Sequence, residues 1–127
     1  MHKTKEERLQ NYGLCQQCKQ INTGSNWCKS CNAARFQNDF GKWASGNKEI
    51  DYFIQNTQIH AWKRHLILEW YSWSTFSEIE EIGKGGYATV FRAKRQVGRI
   101  KAWDHQWNQW SRIEKGMIII IIPNMSH

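Results

Sequence analysis

Proline is nearly absent from this chain: Pro123 is the only one in 127 residues, which excludes a proline-rich linker or stalk. Long apolar runs are missing too. The longest, Met117–Ile122, falls far short of the ~20 residues needed to span a bilayer. The opening Met1–Gln10 is charged and polar with no apolar centre, unlike a secretory leader. The expectation is a soluble, intracellular, cytoplasmic protein with no membrane partner. In that reducing setting, four cysteines point to metal rather than to disulfides.

Acidic residues are also in short supply. Eleven Asp and Glu against 18 Lys and Arg give a formal net charge of +7, which favours acidic partners such as nucleic acid, nucleotides or anionic surfaces. The densest basic run is Arg92, Lys94, Arg95, Arg99 and Lys101, with no acid between them. Arg92 and Lys94 alternate with Phe91 and Ala93, so the run reads either as the solvated face of a strand or as a nucleic-acid patch. With 40% hydrophobic and 23% charged residues, the composition is globular rather than fibrous. The length suits one small domain or two very small modules. The eight tryptophans each offer a large apolar anchor.

Five segments follow one another. Residues 1–10 read as a polar tail, and 11–35 hold all four cysteines. Across 36–70 the pattern is that of a helical linker. Phe36, Phe40 and Trp43 share one helical face. Ser45-Gly46-Asn47 breaks that helix, and Asn47 caps the next, whose stripe is Ile50, Phe53, Ile54 and Thr57. Ala61–Trp70 is helical in pattern. From 71 to 112 the period shifts towards two: Phe76 onward and Thr89–Lys94 flank a glycine turn as a β-hairpin. Arg99–Trp103 forms another strand bounded by Gly98 and Asp104. The tail, 113–127, carries five consecutive isoleucines, Ile118–Ile122. It reads either as a buried strand or as non-native sequence from a truncated or mis-spliced gene; as a free segment it is an aggregation hazard.

Cys15-Gln16-Gln17-Cys18 and Cys28-Lys29-Ser30-Cys31 are two Cys-x-x-Cys pairs separated by nine residues. Two residues between thiolates let both sulfurs reach one metal from a tight knuckle, and two knuckles complete a closed tetrahedral site, the structural-zinc arrangement. The alternative is unliganded or disulfide-paired cysteines. The turn between the pairs is supplied by Asn22-Thr23-Gly24-Ser25-Asn26. Beside the second knuckle, Trp27, Asn32 and Arg35 form a small recognition surface, unless Trp27 packs against the module. No histidine lies at a ligand spacing from these cysteines, and His60 and His65 read as helix-surface residues.

Ile82-Gly83-Lys84-Gly85-Gly86-Tyr87-Ala88-Thr89-Val90 is a glycine-rich loop between strand-like flanks. A dinucleotide fingerprint would need a helix next, and Thr89–Ala93 is strand sequence instead. The alternative is a plain hairpin turn. Gly83-x-Gly85-x-x-Ala88-x-Val90 resembles the glycine loop of eukaryotic protein kinases, with alanine at the third glycine position. Residues Tyr12 to Trp70 are similar to the N-terminal region of an expanded group of fungal protein kinases, in which a Cys-x-x-Cys module precedes the kinase domain. Trp103-Asp104 and Asn108-Gln109-Trp110 resemble the elongated hairpin of that group.

The resemblance implies an α+β chain: a small zinc-knuckle or ribbon-like module at 11–35, a helical linker, and the partial antiparallel sheet of a kinase small lobe from 71 to 112. It implies ATP held by Ile82, Gly83, Lys84, Gly85, Gly86, Tyr87, Ala88 and Val90, magnesium known only at family level, and phosphoryl transfer to protein hydroxyls. The third-strand lysine in its Val-Ala-x-Lys context is missing, Lys101 in Ile100-Lys101-Ala102 being only the nearest candidate. His-Arg-Asp, Asp-Phe-Gly and Ala-Pro-Glu sequences are missing as well. A truncated, inactive kinase-like protein is therefore expected. The alternative is a non-enzymatic zinc module recognising protein or nucleic acid.

Overall fold

The computed structural model of the chain describes residues 4–113 and 115–124. Met1–Lys3 of the expected polar tail, and Glu114 and Met125–His127 of the expected final tail, lie outside the described residues. The chain is α+β, with helices α1 (Lys5–Tyr12), α2 (Lys29–Asp39) and α3 (Lys48–His60). Five strands follow: β1 (Phe76–Lys84), β2 (Ala88–Arg95), β3 (Ile100–Asp104), β4 (Gln109–Arg112) and β5 (Met117–Pro123). No helix among the described residues is long and apolar enough to cross a membrane.

Two compact units divide these elements. The first runs up to Trp70 and adds Ile100–Ser111; the second is Tyr71–Arg99 with the stretch from Arg112 onward. Ile100–Ser111, which the sequence groups within 71–112, falls in the first unit. The physical reason is apolar: Ile100 and Trp110 complete the core around Trp27, Phe36 and Ala61, with Phe40 and Ile67 packed alongside. Trp27, only 1% exposed, donates its indole N–H to the Ala61 carbonyl at 3.1 Å, so its one polar atom is satisfied in the core. Trp110 stacks on Phe36, with centroids 4.8 Å apart, and on Trp27 at 6.0 Å.

Local signals account for most of the helices. Asn47 caps α3 by accepting from the Glu49 and Ile50 amides, as its position predicts. The expected tail holds the start and most of α1, because Thr4 and Glu7 form a reciprocal capping box. The helical pattern of Ala61–Trp70 does not yield an α-helix; only a single 3-10 turn, Arg64–Leu66, forms there. Side chains of α3 claim this backbone instead: Gln58 donates to the Leu68 carbonyl at 2.8 Å, and the Thr57 hydroxyl accepts from the Leu68 amide at 3.0 Å. Close approach also fixes Gly24, where an added Cβ would lie 2.7 Å from the Trp62 carbonyl oxygen.

In the second unit the sheet order is β1-β2-β5, both pairs antiparallel. The isoleucine run is therefore a paired strand, but not a buried one: Ile119 and Ile121 are 57% and 64% exposed. It sits at the sheet edge with one side of its backbone hydrogen-bonded to β2. Across β1–β2, Arg92 meets Glu80 at 2.8 Å and Lys94 meets Glu78 at 3.9 Å. Arg92 and Lys94, the part of the basic run on β2, are thus exposed with acidic partners, each exposed pair contributing only ~0.2–1 kcal/mol. A β-bulge between Ser77 and Glu80 places Glu78 at φ 50°. On the apolar side Ala93 is fully buried, and Trp73 meets Phe76 and Phe91 edge-on.

Candidate metal centre

Each cysteine pair is shaped by its own backbone. The first knuckle is closed by the Lys19 amide donating to the Cys15 carbonyl at 3.0 Å and by the Cys15 amide donating to the Gln20 carbonyl at 2.8 Å. Lys19 takes φ 64° to make the turn. The Gln17 amide points at the Cys15 sulfur, 3.4 Å away. The second knuckle opens α2, with Cys28 at its N-cap and Cys31 in its first turn. Between them the chain reverses at Gly24–Trp27, where the Thr23 amide bonds the Trp27 carbonyl at 2.9 Å.

This folding brings Cys15, Cys18, Cys28 and Cys31 together, all four Sγ atoms lying within 4.8 Å of one another. Cys15 and Cys31 are 3.9 Å apart, and Cys18 and Cys28 are 3.6 Å apart. A disulfide needs ~2.05 Å, so these are not bonded pairs. A tetrahedron of four thiolates with ~2.3 Å bonds to zinc has sulfur–sulfur edges of about 3.8 Å, which these contacts match. The four cysteines can hold a metal ion such as zinc.

Protonation is uneven across the set. Burial works to raise the Cys15 thiol, but the backbone N–H groups of Cys18 and Gln17 outweigh it and bring it down to about 7. Burial raises Cys28, and burial together with the Cys18 sulfur pushes Cys31 up to about 12. Burial also depresses Arg35, against the pull of all four cysteines. The Arg35 guanidinium donates to Asn32 and Gln17 and lies over the Trp103 ring, 4.4 Å from its centroid. A cleft of about 410 Å³ borders Cys15 and Cys28 and is lined further by Asn26, Asn32, Arg35 and Trp103. Of the residues expected beside the knuckle, Asn32 and Arg35 face this cleft, whereas Trp27 is core.

The glycine loop lies in the second unit. Ile82, Gly83 and Lys84 end β1; Ala88 and Val90 begin β2, with Gly83 opposite Val90. The Gly85 amide closes the turn on the Ala88 carbonyl at 2.9 Å. Gly86 and Tyr87 form the exposed tip, Tyr87 being 92% exposed. Nothing lies within 4 Å of a Cβ built on Gly83 or Gly86, so protein packing does not dictate glycine at either position. Sequence reasoning missed Asn124, which donates its side-chain amide to the Gly85 carbonyl at 3.0 Å and its backbone amide to the Tyr87 carbonyl at 2.8 Å. No local motif announces that contact, because it arises only when β5 pairs with β2. Lys101 lies on β3, which pairs only with β4.

No protein-family model matches the chain, and neither a curated protein nor a solved structure matches it.

Proposed function

We propose that this chain joins a structural-zinc module to the nucleotide-binding hairpin of a protein-kinase-type small lobe. The metal part is carried by one observation, the convergence of four sulfurs at spacings suited to a single tetrahedral ion. Four thiolates close the coordination shell and leave no position for substrate, so the zinc would cross-link rather than catalyse. Cys15 and Cys18 tie the first knuckle, and Cys28 and Cys31 tie the start of α2 to it.

Two features support the kinase-type reading of the second unit. The loop is strand–turn–strand rather than strand–turn–helix, as the kinase loop requires and a dinucleotide fingerprint does not. Its Gly83 and Gly86 positions are open, as close approach of a triphosphate demands. The resemblance then implies ATP, with magnesium, as the family ligand and a protein hydroxyl as acceptor. In this stretch of chain transfer is not expected, since positioning and charge neutralisation dominate phosphoryl transfer. Lys101 is in the other unit, and β5, beside β2, carries no lysine. The check is an assay with labelled ATP and magnesium on protein freed of contaminating kinase, paired with amide NMR shifts. The expected result is no transfer, with small shifts confined to Gly83–Val90 at roughly millimolar nucleotide. Transfer above background would overturn the inactivity, and shifts scattered elsewhere would overturn the nucleotide reading.

The cleft beside the cysteines favours a second role, as a module that recognises nucleic acid or protein. Its lining of Asn26, Asn32 and Arg35 offers hydrogen-bond donors suited to an unstacked base. Binding to a single-stranded RNA oligonucleotide should weaken with salt, with a slope of about −0.7 per phosphate contacted, and vanish in Cys28→Ser. Affinity that ignores salt would exclude the nucleic-acid version.

A further inference from the structure

Four thiolates around a divalent ion leave two uncompensated negative charges in a partly buried place, and such charge is costly unless a cation stands near it. Arg35 is a cation beside this site. It lies one turn beyond Cys31 on α2, and it lines the same cleft as Cys15 and Cys28. Three contacts hold the group in a fixed orientation. It donates to Asn32, itself only 2% exposed, and to Gln17, the residue between Cys15 and Cys18 in the first knuckle. Its plane covers the Trp103 ring on β3. From Trp103 the contacts continue edge-on to Trp110, 5.1 Å away, and then to Phe36 and Trp27, the latter adjoining Cys28.

We propose that Arg35 is the outer-sphere counter-cation of the four-thiolate centre and, through Trp103, fastens the β3–β4 hairpin to it. The inference rests on the metal reading above. Outer-shell partners orient ligands and tune affinity, and their loss typically lowers metal affinity ~10–100-fold. Lysine supplies the charge without the planar fork or the stacking surface. The two jobs of Arg35, charge and fastening, therefore separate in its variants.

The test uses the full chain, measuring zinc affinity by competition with a chromophoric chelator, the thiolate-to-metal band of the cobalt(II) form, and amide exchange at saturating zinc. Arg35→Met should bind zinc at least about tenfold more weakly and shift the cobalt band, whereas Arg35→Lys should stay within about threefold of wild type. In both variants the amides of Ile100–Asp104 should exchange faster while those of α3 keep their protection. Arg35→Met with wild-type affinity and an unshifted cobalt band would overturn the proposal, as would Lys and Met variants that lose affinity alike. Should Arg35→Met not fold, Arg35→Lys carries the test: near-wild-type affinity with a loosened hairpin supports the proposal, and a loss of about tenfold or more overturns it. If wild type itself binds no zinc, the metal reading falls with it; if wild type binds and only the variants disagree, the inference alone is lost.

Discussion

Stripping the metal with a strong chelator is expected to unfold the cysteine-bearing unit, with loss of its near-ultraviolet circular dichroism and a red shift of tryptophan emission. The magnitude follows from how little else holds the unit together. Its fully buried cluster is Trp27, Phe36, Ala61 and Ile100, a small core for the chain it must order. Domain stabilities run ~5–15 kcal/mol, whereas structural zinc contributes about 10–16 kcal/mol near neutral pH. Losing the ion therefore removes as much free energy as the whole unit is expected to possess. Cys28→Ser should behave like chelation, because Cys28 anchors α2 and adjoins Trp27, and re-adding zinc should restore wild type but not the variant. A unit that keeps its tryptophan environment after chelation would show that the cysteines are incidental to the fold.

Zinc affinity should rise steeply with pH. In the metal-free centre Cys28 and Cys31 hold their protons well past neutrality, because burial raises both, while Cys15 titrates at about 7. Metal requires the thiolate, so each proton still present must leave on binding. The sign follows directly: raised thiols make protons the stronger competitor, and affinity is lost as pH falls. Cys28 and Cys31 alone give about a hundredfold change per pH unit between roughly pH 6 and pH 8, and Cys15 adds up to about tenfold per unit below 7. Chelator competition at several pH values measures the slope, and proton release measured during zinc titration checks it independently. A flat profile would mean that the sulfurs bind as preformed thiolates or not at all.

Features set by local chemistry were legible in the sequence. The two Cys-x-x-Cys knuckles converge as their spacing predicts, Asn47 caps α3, and the glycine loop turns at Gly85–Tyr87 between two strands. The capping box of Thr4 and Glu7 was equally local; it sat inside a stretch whose polarity suggested a tail. What escaped was tertiary. Ala61–Trp70 has helical apolar spacing, yet Gln58 and Thr57 bond the Leu68 backbone and only the Arg64–Leu66 3-10 turn forms. Ile100–Ser111 reads as part of the glycine-loop sheet by proximity in sequence, yet Ile100 and Trp110 bury against Trp27. Arg35 is placed beside the second knuckle by the sequence, but its contacts with Gln17 and Trp103 are not. The isoleucine run gave its strand propensity but not its place, because edge and centre differ only in what lies beyond the strand.

X-ray absorption at the zinc edge, on chain purified without oxygen, addresses the four-thiolate centre most directly. One zinc per chain surrounded by four sulfurs at ~2.3 Å is the expected result. Substoichiometric metal, fewer than four sulfur neighbours, or cysteines recovered as disulfides would contradict it.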